Sequence, residues 1–390
     1  MTVKKIILTL VALFIINSLS WGQVALVRKT YELLESKDYE KARQAIELAS
    51  ENVTTSQDPE TWFLKGVVYS EIYKAKDDHG INDIRTRATR AFRRSLDLDT
   101  ANTYADQSYQ GVRFIRDTYY NEGVSNFNEQ NFQAALNGFK SYLDLEVPGQ
   151  NEEFIAQAIF YVGYSYALLG NNDGSLEYFE KARDRGYQDP VMYVNLVRIY
   201  EQRRDLGKAM LVYQEGKKAF PDDLDLNVSG INLYMAAENF KLAVEEGERY
   251  LLQRPEDVQV MLVVGTAYGK LIKQADENAG QYFKRRIEIY KDVLAIEPDN
   301  FMANYNIGIT YYNKAVDLIN AQDYDVDILA FNQIVQESTE LFRKSLPYIL
   351  KANKDSSKNI NTLRALEGIY VNLNNKEKLQ EVRAQLDQLN

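Results

Sequence analysis

The sequence predicts an all-α fold, a superhelical solenoid of about nine antiparallel helix pairs, three of them with lengthened helices or inserts. Two observations predict it. First, Tyr166, Tyr200, Tyr234 and Tyr268 are each 34 residues apart, with Tyr311 another 43 on. Gly163, Gly265 and Gly308 keep that register, as do Ala209 with Ala243, and Pro221 with Pro255 and Pro298. A period of this length shared by several residue types marks a repeat architecture. Second, apolar residues between these marks recur at helical spacing and are interrupted twice per period.

Composition agrees with a folded chain. The 390 residues are 45% hydrophobic and 26% charged, with seven prolines and no flexible linker rich in Gly or Ser. There is no cysteine, which excludes disulfides, thiolate sites and lipidation on a cysteine. The formal charge is −10, and such a surface repels phosphate backbones unless a basic patch intervenes. The best candidates, Arg203-Arg204 and Lys284-Arg285-Arg286, are short and interleaved with acids, so they read as solvated helix faces and no nucleic-acid partner is expected.

The chain opens MTVKKIILTLVALFIINSLSWGQ. Lys4 and Lys5 precede an apolar run from Ile6 to Ile16, and Ser20 and Gly22 stand before Gln23. This is the layout of a secretory signal peptide over residues 1–22, cleaved before Gln23, and the apolar run is too short to span a bilayer. Its loss removes two lysines and takes the formal charge from −10 to −12. The expected mature chain, residues 23–390, has no transmembrane segment and works in the periplasm or elsewhere in the cell envelope.

The helix pairs are expected at roughly 24–50, 59–98, 116–147, 156–186, 190–220, 224–254, 258–297, 301–353 and 360–390. The fifth shows the pattern plainly. Tyr193, Leu196, Val197 and Tyr200 fall on one helix face, Asp205-Leu206-Gly207 breaks the pattern, and Ala209, Tyr213 and Gly216 resume it until Pro221. Proline followed by acidic or amide residues then starts the next pair. The second carries extra residues around Lys76 to Arg87, the seventh around Ile272 to Tyr282, and the eighth between Tyr312 and Leu341. In the eighth, recurring apolar residues predict lengthened helices, a short break near Ala321 to Asp327 and a kink at Pro347. The last pair has Glu367 and Arg383 where others are apolar, as a solvent-facing terminal unit requires.

These residues resemble the tetratricopeptide repeat, in which a large residue, a small one and Tyr mark the first helix, and Ala, an aromatic, a small residue and Pro the second. Trp62, Gly66, Tyr69, Ala88 and Phe92 match in one pair; Gly123, Ala135 and Phe139 in the next; Gly163, Tyr166, Ser175, Phe179 and Ala182 in the fourth. The resemblance covers nearly the whole mature chain. It explains a costly choice: glycine inside a helix loses about 1 kcal/mol relative to alanine, so Gly66, Gly123, Gly163, Gly265 and Gly308 together forfeit roughly 5 kcal/mol. Close crossing of the paired helices at these positions is expected to offset that loss.

Catalytic and metal motifs fail on context. Gly163 to Ala167 has the outline of a nucleophile elbow, but Ser165 falls mid-helix where no strand-turn-helix bend exposes it. The single histidine, His79, lies in the acidic stretch KDDHGIND. Gly265 to Lys270 has three residues between its glycines, one short for a phosphate loop, and Leu271 where a hydroxyl would hold magnesium. Asp323, Asp325 and Asp327 alternate like calcium ligands, but Ile328 and Ile334 replace the turn glycine and the bidentate glutamate. No catalytic residue, cofactor or metal is expected.

By the geometry that the resemblance implies, first helices line a concave groove. The groove positions are then Phe63, Tyr120, Phe160, Tyr164, Tyr305 and Tyr312, with Arg198 and Asn232 among the polar ones. An aromatic-lined channel suits an extended segment or helix of a partner protein. Some family members clamp a C-terminal carboxylate there; here Asn232 is in place, but Val228, Met302 and Asn306 replace the cations. The expected function is a non-catalytic interaction scaffold or adaptor of the bacterial envelope. Two alternatives stay open: a structural subunit of a secretion, motility or outer-membrane assembly complex, and a glycan- or peptide-binding accessory protein.

Overall fold

The computed structural model describes residues 25–75, 82–149, 151–274, 277–321, 328–355 and 359–389. The expected leader and its cleavage point lie outside the described residues, as do His79, Asp323, Asp325 and Asp327. Among the described residues the chain is helices and connecting turns, with no strand, in two compact units that divide between Gln188 and Asp189.

The first unit holds α1 (25–35), α2 (Tyr39–Glu51), α3 (Pro59–Ala75), α4 (Asn82–Leu98), α5 (Ala105–Asn128), α6 (Phe132–Leu143), α7 (Glu152–Leu168) and α8 (Asn172–Asp184). The second holds α9 (Pro190–Gln202), α10 (Leu206–Ala219), α11 (Leu224–Ala236), α12 (Phe240–Gln253), α13 (Val258–Lys273), α14 (Ala279–Ile296), α15 (Phe301–Asn320), α16 (Ile328–Asp355), α17 (Ile360–Asn372) and α18 (Lys376–Asp387). Within each unit, from α2 onward, every helix packs on its neighbour in sequence. The odd-numbered helix is the first of each pair.

The turn inside a pair has a repeated construction. A residue with positive φ precedes an Asp or Asn that caps the second helix: Lys37 before Asp38, Gln130 before Asn131, Gly170 before Asn171, Arg204 before Asp205, Glu238 before Asn239 and Asn374 before Asn375. The N–H of Asn171, Asp205 and Asn239 donates to the carbonyl of Tyr166, Tyr200 and Tyr234, each at 2.9 Å. This bond closes the helix C-terminus, and in these three turns the Asx side chain accepts from the third residue of the next helix. The tyrosine series that sets the period therefore also supplies the carbonyls that shape the turns.

The register glycines lie where helices cross. A β-carbon on Gly163 would sit 2.8 Å from Phe179, on Gly66 2.6 Å from Phe92, on Gly123 2.9 Å from Phe139, on Gly265 2.6 Å from Tyr290 and on Gly308 2.5 Å from Ile349. Side-chain carbons do not approach so closely. Each partner is a buried side chain of the second helix in the same pair. The core of the first unit gathers Leu64, Tyr69, Phe92 and Ile115 around α2 to α5, and that of the second includes Phe342, Ile349, Leu366 and Ile369 around α15 to α18. Trp62 is tied down by Nε1 donating to the Ser56 carbonyl at 2.8 Å.

One detail differs from the sequence reading. Helix α5 begins at Ala105 instead of near residue 116, because Ser108, Val112, Ile115 and Arg116 form a buried stripe at helical spacing that packs against α3 and α4. Helix α16 runs through Pro347 to Asp355, within the second helix of the eighth pair where the sequence places that proline, which removes the intrahelical donor to the Arg343 carbonyl without ending the helix. Helices α15 and α16, 20 and 28 residues long, are the lengthened helices that the sequence predicts for the eighth pair.

Candidate interaction surfaces

In the first unit, α5 and α7 carry a run of aromatic rings in mutual contact. Tyr120 lies edge-on to Phe154 at 6.0 Å and donates from its hydroxyl to Gln157 Oε1 at 2.6 Å. Burial pushes the Tyr120 phenol up to about 12. Phe127 meets Tyr161 at 5.2 Å and Tyr164 at 5.3 Å. Tyr120 and Tyr164 are half-buried and Phe154 is exposed, so the run offers ring edges and faces to solvent while its bodies are fixed by packing.

The eight residues expected in the groove do not share one environment. Phe160 is 4% exposed and packs on Phe179 and Tyr187, so it belongs to the core and is out of a partner's reach. Phe63 is half-buried, stacked on Tyr104 at 5.4 Å. In the second unit Tyr305 stacks on Phe301 at 5.9 Å beside exposed Met302, and burial raises its phenol. Tyr312 is spent on packing: its ring meets Phe342 at 5.5 Å and its hydroxyl occupies the space a β-carbon on Gly368 would need. Arg198 donates to Asn195 Oδ1 at 2.9 Å, and Asn232 is exposed.

Phe127 and Phe154 were missed from sequence, and Met302 entered there only as the replacement of a clamp cation. Phe154 lies in the first turn of its helix, one turn ahead of the positions the repeat marks. The available signal was spacing, since 154, 157, 161 and 164 fall on one helical stripe.

A second surface is the start of α16. Ile328 and Leu329 are 81% and 73% exposed, and Phe331 and Val335 are exposed as well, as is Ile319 near the end of α15. These turns extend past the part of α16 that packs on the core.

The rejected motifs resolve structurally. Ser165 is fully buried in α7, its hydroxyl donating to the Tyr161 carbonyl at 2.8 Å. Gly265 sits inside α13, where its carbonyl accepts from Arg286 Nε at 3.1 Å. Arg285 is bound to Glu248 and Glu288, and Arg286 donates to the Gly265 carbonyl and to Asn306, so two of the three cations of the run 284–286 are tied into the fold. Among the described residues no group of His, Cys, Asp or Glu side chains is placed to hold a metal, and no helix is long and apolar enough to cross a membrane.

Residues 163–223 match the family model described as tetratricopeptide repeat. The chain carries tetratricopeptide repeats. The glycine crossings and Asx turns of that segment recur in pairs outside it, which extends the tetratricopeptide architecture beyond the matched residues. Among solved structures, the C-terminal part of a TPR repeat-containing protein from Cytophaga hutchinsonii is similar at 14% identity, over 70% of this chain and 95% of that one, with a TM-score of 0.48. MamA from Desulfovibrio magneticus RS-1 is similar at 15% identity over 49% and 97%, with a TM-score of 0.36. A Pseudomonas aeruginosa PilF structure is similar at 14% identity over 62% and 96%, with a TM-score of 0.33. At these scores none of the three likenesses speaks to function. No curated protein matches the chain in sequence. The matched segment is of a repeat type found in protein-interaction scaffolds.

Proposed function

We propose that the chain is a non-catalytic adaptor of the bacterial cell envelope that binds segments of partner proteins on the aromatic faces of its first helices. The observation that carries this is the α5 and α7 run, where Phe127 and Tyr164 are in ring contact at 5.3 Å and Phe154 is left exposed. Rings already fixed by neighbours lose little entropy when a partner covers them. The smaller Phe301 and Tyr305 stack on α15 is a second contact point. The envelope setting is supported by the leader-like residues 1–22. The test is quantitative affinity purification of the tagged chain from its native envelope, with and without Tyr164→Ala plus Tyr305→Ala. Loss of at least one partner is expected; unchanged recovery of every partner sinks the aromatic-face reading.

The exposed apolar turns of α16 favour a second reading, a structural subunit of an envelope assembly that docks through α15 and α16. Deletion of residues 314–340 distinguishes the two, because that reading requires loss of partners which the tyrosine variant retains.

A further inference from the structure

Helix α4 is the most basic element of an acidic chain, with five arginines against Asp83 and Asp97. Two of the five are committed. Arg85 is 1% exposed, with Nη1 2.5 Å from Glu122 Oε2 and its guanidinium carbon 3.8 Å from the Tyr119 ring centre. Arg87 pairs with Asp83 at 2.8 Å. The other three, Arg90, Arg93 and Arg94, line a cleft of about 470 Å³ between α4 and α6, walled by Tyr119 of α5. Among the described residues no carboxylate pairs with any of the three.

That arrangement runs against the habit of the chain. Elsewhere exposed cations sit three or four residues from an acid on the same helix, as in Arg43 with Glu40, Lys181 with Glu177, Arg249 with Glu246 and Lys378 with Glu381. On α4, Arg90 neighbours Arg93 and Arg94 at those spacings, where like charges repel, and Asp97, four and three residues beyond Arg93 and Arg94, pairs with neither. Three guanidinium groups without an acid partner on one wall of a cleft are free to receive an anion from outside.

The geometry points to this cleft as a docking site for an acidic segment of a partner protein, separate from the aromatic faces and independent of them. The two carboxylates in the cleft select the class of occupant. Asp97 and Asp144 also line the cleft and can accept from a bound molecule. A peptide offers side-chain carboxylates to the guanidinium groups and backbone N–H groups to Asp97 and Asp144. An inorganic phosphate or a lipid phosphate concentrates its negative charge on one group, which cannot reach the arginines without also facing the two aspartates.

The test is fluorescence anisotropy of a labelled peptide of alternating Glu and Ser against the full chain. Wild-type chain is expected to bind, and Arg90→Glu, Arg93→Glu and Arg94→Glu combined to weaken binding by at least about tenfold. Charge reversal of the exposed Lys241 and Lys284 in the second unit is expected to leave it unchanged. Circular dichroism confirms that each variant is folded, and single Arg93→Gln provides a milder arm if the triple variant is not. No binding by the wild-type chain, or equal weakening by the lysine reversal, overturns the proposal. So does competition by pyrophosphate or by vesicles of anionic lipid as strong as that by unlabelled peptide.

Discussion

The hydroxyl of Tyr268 donates to Glu248 Oε1 at 2.9 Å, across the boundary between one helix pair and the next. Arg285 completes the group, with Nε and Nη2 each 2.8 Å from a Glu248 oxygen. The first unit repeats the device: Tyr69 donates to Glu47, which also accepts from Lys65, while Arg87 donates to the Tyr69 hydroxyl at 3.4 Å. In both places a period-marking tyrosine ties the second helix of one pair to the first helix of the next. Tyr268→Phe is expected to cost about 1 kcal/mol in urea unfolding, toward the low end for a bond to a charged group because the pair is partly exposed.

The same carboxylates predict an acid dependence. Burial raises the Glu248 carboxyl, but the bonds from Arg285 and Tyr268 outweigh it and leave it below its ordinary 4.5. Glu47 is held below that value in the same way by Lys65 and Tyr69. Their contribution is therefore complete above 4.5, where the unfolded chain titrates, and is lost as pH falls through the lower folded values. Asp189 and Glu201, raised by burial, run in the opposite sense and gain stability as they protonate. Unfolding midpoints measured from pH 6 downward are expected to drop below about 4.5, with a shallower drop in Glu248→Gln.

Gly163→Ala tests the helix crossing. Propensity alone would favour alanine by about 1 kcal/mol, yet its β-carbon would meet Phe179 at 2.8 Å. Overpacking is expected to win, with a net loss of about 1–3 kcal/mol. In a Phe179→Leu background the same change is expected to cost less, and a double-mutant cycle that shows no coupling would refute the crossing argument.

Arg204 adopts φ 60°, a conformation that glycine enters freely and other residues do not. Gly170 already occupies the equivalent place between α7 and α8. Arg204→Gly is expected to raise stability by about 0.5–1 kcal/mol, after allowing for glycine's extra unfolded entropy. A thermal midpoint that falls would contradict the turn geometry.

The pairs were legible in the sequence because their crossings demand particular residues: glycine opposite an aromatic leaves a periodic trace, as at Gly66 with Phe92 and Gly163 with Phe179. The turns were less legible. Arg204, Glu238 and Lys37 hold a glycine-like backbone without being glycine, since the Asx cap and the tyrosine carbonyl fix the chain there. The early start of α5 was hidden because Ser108 and Arg116 supply half of its buried stripe and neither reads as apolar. Phe160 was placed on the groove by its register, but contact with Tyr187 beyond the end of α8 covers it, and no repeat position marks that contact. Arg85 is buried for a reason invisible along the chain, the meeting of Tyr119 and Glu122 on α5 around its guanidinium.

Trp62 has an experimental consequence. The sequence holds two tryptophans, Trp21 and Trp62, so a chain lacking residues 1–22 has one indole, anchored in the first unit. Its emission follows the melting of that unit alone, whereas ellipticity follows all the helices. Coincident curves would show the whole array letting go together, and separated curves would show a molecule that comes apart in halves.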